Sequence, residues 1–282
     1  MKAIGVDLAW SPRNPTAAAV ADLQDGRWTI IEVAGDLVSN ANVADFIDAA
    51  AAGGPGIVGI DAPLVVPKST GIRRADALVN TLFRRYNAGV HPANRHSLGR
   101  YGGLRAEALV AELEARGFRH NPRIHQRRPT RTFFELYPHA ALVALFGLPR
   151  ILEYKSRGRG RPLAHRWREF ARYQRLLERL RTMDPPKRVG SEWTRAPVRG
   201  LRGNGLKTFE DELDAITCTY IAAYYWTWGT RRCAMLGTLE EGYIVTPMTT
   251  SLWRSAPIDP TGAFYDGPRG CRRGPRRRAA SP

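Results

Sequence analysis

The chain has 282 residues, 43% of them hydrophobic, and a formal net charge of +17. That length supports a sizeable core, as one large domain or a domain with a long insertion. No apolar run is long enough to span a membrane, and the start, MKAIGVDLAW, reads as a strand and not as a signal peptide. The expectation is therefore a cytoplasmic protein with no membrane contact. Only five of the 43 basic residues are lysine, and so basic a surface attracts polyphosphate. Cys218, Cys233 and Cys271 share no metal-type spacing, so neither a structural zinc nor a disulfide framework is expected.

In chain order, residues 2–9 read as a first strand. Residues 16–23 and 27–33 follow as two more, with Asp25-Gly26 between them as a hairpin turn. Residues 42–52 have helical spacing and end at Gly53-Gly54-Pro55. Residues 56–61 form a fourth strand, apolar throughout and so buried on both faces. A long middle section, residues 65–130, holds two helical patterns (73–86 and 104–116) around a Gly/Asn/His-rich loop, and loops of that length are usually functional. Residues 132–136 are a fifth strand and 138–146 a helix. Residues 154–162 make a basic Gly/Arg loop, 165–181 an arginine-rich amphipathic helix, and 184–206 a loop. A long helix over 208–228 has Thr208 as its N-cap, and residues 243–246 are a last short strand. The main domain covers 1–256, with its helical and basic insertion around 65–130. The basic tail, 257–282, is too charged and too poor in apolar residues to order.

Four acids stand at strand ends or near a helix start: Asp7, Asp61, Glu135 and Asp214. Buried carboxylates are costly unless something positive meets them, and a hard divalent cation is a common partner for several at once. Asp7 and Asp61 fall at the carboxyl ends of strands, where open α/β sheets bind ligands. Asp211 and Asp214 are three apart and share a helix face. In a strongly basic protein this set points to phosphodiester chemistry, in which two ions would activate water and stabilise the leaving oxygen. Glu135 has an equally plain reading as the ion-pair partner of an arginine, Asp211 as a complement to the helix dipole, and His139 as a cap or core histidine. Arg74, Arg95, His139 and Lys155 flank the acids as candidate phosphate or substrate contacts.

The segments GVDLAW, IDAPL, FELYPH, EYKSRGRGR and DELDAITCTYIAA together resemble the domain of unknown function 429 family, regarded as predicted nucleases. The resemblance implies an RNase H-like α/β fold: a mixed sheet of a three-strand meander plus parallel strands, flanked by helices. By that resemblance Asp7, Asp61 and Asp214 are metal ligands, and Asp211 with Asp214 resembles the paired helix aspartates of RuvC-type resolvases. The expectation is a nuclease that uses Mg2+ or Mn2+ to cleave DNA or RNA. Asp7, Asp61, Glu135 and Asp214 are then catalytic, and Asp7, Asp61, Asp211 and Asp214 hold metal. One alternative is an ATPase or kinase-like phosphotransferase on the related actin-like fold. Against it, the residues after Asp7 lack the glycine pair of a phosphate loop. The other is a nucleic-acid-binding protein without catalysis.

Overall fold

The computed structural model describes residues 1–156 and 160–256, and the backbone of Tyr265–Asp266. Strands β1 (Lys2–Asp7), β2 (Thr16–Gln24) and β3 (Arg27–Leu37) form an antiparallel meander. Asp25 and Gly26 turn between β2 and β3 with φ of 49° and 74°, the doubly left-handed backbone that favours Asp-Gly in tight hairpins. Helix α1 (Asn40–Ala51) starts at a capping box of Ser39 and Asn42. Strand β4 (Gly56–Ile60) returns parallel to β1.

The insertion contributes α2 (Arg74–Phe83), α3 (Arg95–Gly99), α4 (Arg105–Ala115) and the two-residue strand β5 (Arg119–His120). The segment expected to be one long loop thus contains a helical turn, α3. Its start is fixed by Asn94, whose Oδ1 accepts the Ser97 amide at 2.8 Å. Next come β6 (Arg131–Glu135), α5 (Pro138–Phe146), α6 (Leu163–Arg179), β7 (Lys187–Arg188) and α7 (Ser191–Thr194). Helix α8 runs Gly203–Trp228. It begins well before Thr208, which lies inside the helix and does not cap it. Gly203 and Gly205 look like loop residues in the sequence, but buried Leu206 and Phe209 extend the apolar face through this first part of the helix. Strands β8 (Cys233–Thr238) and β9 (Gly242–Pro247) pair antiparallel, followed by α9 (Thr250–Ser255). Only β9 was expected.

The main sheet has the order β5-β6-β4-β1-β2-β3-β7, with β4 and β6 parallel to β1. This is an RNase H-like mixed sheet flanked by helices. One face carries Ala3, Ala17, Ala19 and Ala21 in the core shared with α5, α6 and α8. The other face presents Ile4, Val6, Val20, Val58 and Phe133 to α1 and α4. Strands β8 and β9 make a second sheet with β10 (Tyr265–Asp266), which pairs with β8. At those two residues the tail expected to be unstructured is strand, because β8 offers an open edge. The rest of the tail, Cys271 included, and residues 157–159 of the Gly/Arg loop lie outside the described residues.

No described helix is long and apolar enough to cross a membrane.

Candidate active site at the carboxyl edge of the sheet

The parallel register decides where the acids stand. Val6 pairs with Ile60 across β1 and β4, and Ile60 pairs with Glu135 across β4 and β6. The Asp61 amide donates to Val6 O at 2.9 Å, which carries the ladder to the last residue before the loop. Asp7, Asp61 and Glu135 therefore lie at the same sheet edge on three neighbouring strands, about 4.8 Å apart strand to strand. Helix α8 crosses the alanine-rich face so closely that a Cβ at Gly5 would lie 2.1 Å from Thr219 N. That approach brings Asp214 to the same edge.

The four acids then divide by what holds them. Asp214 is fully buried. Its Oδ1 accepts the Tyr154 hydroxyl at 2.6 Å and the Tyr173 hydroxyl at 3.0 Å, and its Oδ2 lies 2.6 Å from Lys155 Nζ. Burial pushes the Asp214 carboxyl up, but Lys155, His139 and the Tyr154 hydrogen bond outweigh it and hold it below its usual range. Burial works against the Lys155 charge, yet Asp214, Asp7 and Asp61 together hold that ammonium well above its ordinary value.

Asp7 and Asp61 differ. Neither carboxylate has a hydrogen-bond or ion-pair partner among the described residues, and both are half-buried. Burial pushes Asp7 up to about 7, with Lys155 opposing and Asp214 and Asp211 adding to the rise. Asp61 is raised well above its usual value by burial and then by Asp7. One lysine thus faces three carboxylates.

Glu135 is buried and occupied. Arg73 Nη2 donates to its Oε1 at 2.6 Å and Nη1 to its Oε2 at 3.0 Å, while the Leu64 amide donates to Oε2 at 2.9 Å. The same guanidinium holds Asp76 at 2.8 Å and Val65 O at 2.9 Å. Burial pushes Glu135 up to about 7 against the opposing pull of Arg73. The geometry of the bidentate fork ties the start of α2 to the end of β6. Arg73 was not singled out in the sequence; its neighbour Arg74 was. Arg74 is exposed at the start of α2. Arg95 pairs with Glu107 at 3.0 Å, on the surface. Asp211 is taken by Lys207 one turn earlier on α8. His139 is 6% exposed, its ring edge-on to Tyr137 and tilted toward Tyr154. Of the expected contacts, then, Lys155 joins the acids directly, while His139 packs against Tyr154, which bonds Asp214.

Among the described residues, no three Asp, Glu, His or Cys side chains are grouped so as to hold a single metal ion. The open pair Asp7 and Asp61 does suit a hard ion that keeps most of its waters and takes only one or two carboxylates, as magnesium commonly does. A larger cleft of about 410 Å3 lies at the opposite sheet edge, lined by Arg27, Arg181, Arg188 and Arg195. Its acid, Glu178, is paired with Arg181 at 3.0 Å. It is a basic surface that also carries the hydroxyls of Ser191 and Thr194, and none of the four acids lines it.

Comparison with curated proteins and with solved structures returned no match. A family model, described as protein of unknown function (DUF429), matches residues 5–236; with this span, which includes every acid of the site, the chain belongs to the DUF429 family.

Proposed function

We propose that the chain is a metal-dependent nuclease acting at the carboxyl edge of the sheet. The observation that carries this reading is the open pair: Asp7 and Asp61 stand side by side on parallel strands, raised by burial and lacking counter-ions of their own. Asp7 and Asp61 would hold Mg2+ or Mn2+, which supplies water activation and charge neutralisation at a phosphodiester. Lys155 provides a fixed positive charge beside them, able to stabilise charge that develops on the phosphate. Asp214 acts as a positioning residue for Lys155, and Tyr154 and Tyr173 fix Asp214 in turn. Glu135 and Arg73 set the position of the strand end that carries the site.

The test is cleavage of end-labelled DNA and RNA, single-stranded and duplex, with millimolar Mn2+. Asp7→Asn is expected to abolish cleavage. Lys155→Gln, which keeps a hydrogen-bond donor for Asp214 but removes the charge, is expected to lower the rate while leaving the Mn2+-induced thermal shift intact. Undiminished cleavage by a clean Asp7→Asn preparation would sink the proposal.

A further inference from the structure

Among the described residues, five large hydrophobic side chains are exposed, and two of them form one contact that involves the loop following Asp7. Trp10 is 39% exposed and Tyr101 48% exposed. Their ring centroids are 5.2 Å apart at 83°, edge to face. Trp10 follows Asp7 by three residues on the β1–β2 loop. A shallow apolar cleft adjoins it, lined by Leu8, Ala62, Pro63, Leu98 and Leu104. Leu8 and Ala62 directly follow Asp7 and Asp61 in the chain and pack in the core on the sheet face turned to α1 and α4.

An exposed aromatic on a loose loop would mean little. This loop is clamped. Arg105, itself 8% exposed, donates from Nη1 to Ala9 O at 2.9 Å and to Ser11 O at 3.1 Å, and from Nη2 to Val38 O at 2.6 Å. Its Nε donates to Asn40 Oδ1 at 3.0 Å. A charged side chain spent on main-chain carbonyls on both sides of Trp10 holds the backbone that carries the indole. The Ala9 amide is also held, by Thr16 Oγ1 at 3.2 Å. The result is an indole on an anchored backbone, set against Tyr101, with both rings still facing solvent.

We infer that Trp10 and Tyr101 form a stacking platform for unpaired nucleobases, so that the substrate enters as a single strand. The inference rests on the nuclease reading for its class of ligand. A planar base offers a π-face to an aromatic ring whatever its sequence, and a basic surface holds the attached phosphates. In a duplex both faces of each base are covered by its neighbours, so a platform of this kind selects unpaired strands. Exposed Arg13 on the same loop supplies positive charge beside it.

The experiment is fluorescence anisotropy of a labelled oligonucleotide in EDTA, as a single strand and as its duplex, with the full chain. Trp10→Ala and Tyr101→Ala are each expected to weaken single-strand binding about tenfold, the usual order for one stacked base, and to leave duplex binding unchanged. Trp10→Phe should retain most of the affinity, and matching thermal unfolding of all variants excludes a folding defect. Equal losses on both ligands, no loss on either, or no binding by the wild type would overturn the platform. Cleavage in Mn2+ by a Trp10→Ala protein with unchanged strand preference would also overturn it while leaving the nuclease reading intact. Trp10-dependent single-strand binding without any cleavage would support it and remove the nuclease reading instead.

Discussion

Asp7 makes the chemistry of the site measurable without a substrate. Its ordinary value is 3.8 and the fold moves it to about 7. A carboxyl raised in the folded state costs stability wherever the unfolded chain has ionised and the folded chain has not yet followed, or has followed under strain. The penalty is absent below about pH 4, grows toward about pH 7 and is complete above it. In metal-free protein, Asp7→Asn is therefore expected to unfold at a higher temperature than wild type at about pH 8, by a few degrees, and at the same temperature at about pH 4. Calorimetry across that range checks it; a variant less stable than wild type at the higher pH would show that Asp7 is a structural acid. The open acids were legible in the sequence because each ends a short apolar strand before a loop, in GVDLAW and IDAPL. The identities of the groups that hold Asp214 and Glu135 were not. Lys155 meets Asp214 from a distant stretch of chain, next to Tyr154, which bonds the same carboxylate across 60 residues. Arg73 differs from its exposed neighbour Arg74 only in which side of a helix start it occupies.

At the scale of elements, the site depends on how near α8 comes to β1. Gly5 sets that distance. A Cβ there would meet Thr219 N at 2.1 Å and Ala215 O at 2.3 Å, both main-chain atoms of a long buried helix that cannot give. Gly59 on β4 is also crowded, but its nearest neighbour is a side-chain carbon, Leu136 Cδ2 at 2.3 Å. Gly5→Ala is therefore expected to destabilise by about 3 kcal/mol or more, in the range of overpacked cores, and Gly59→Ala by less because Leu136 can change rotamer. Urea unfolding monitored by tryptophan fluorescence gives both values; an equal cost would mean that the helix shifts freely over the sheet. The strands and helices with unmixed periodicity were readable: the meander, β4, β6 and the body of α8. What escaped was short or punctuated by glycine. β5 and β7 are two residues each and exist only as edge pairs. α3 is one cap and one turn. β8 reads in sequence as a brief apolar run, and its pairing with β9 and β10 makes it a strand.

For the whole molecule, the balance of charge divides binding from reaction. The net charge is +17, while at the carboxyl edge Lys155 meets the three carboxylates Asp214, Asp7 and Asp61. Phosphate backbone would be drawn to the protein generally and repelled by Asp7 and Asp61 in particular, until a cation neutralises them. The arginine cleft at the opposite edge adds positive field away from the four acids. Reversing Arg188 and Arg195 to glutamate should then weaken nucleic-acid binding and flatten its dependence on salt. Wild-type affinity is expected to fall about a thousandfold between about 50 and about 200 mM salt if some six phosphates are engaged, and the slope should drop by roughly one for each phosphate that is no longer neutralised. The double reversal should leave the turnover rate at saturating substrate unchanged, since the cleft lies across the sheet from Asp7. A fall in that rate with no change in salt slope would mean that the substrate spans both edges in its reacting pose. Binding measured against salt, beside turnover measured at saturation, separates the field that gathers the substrate from the pair of acids that would cut it.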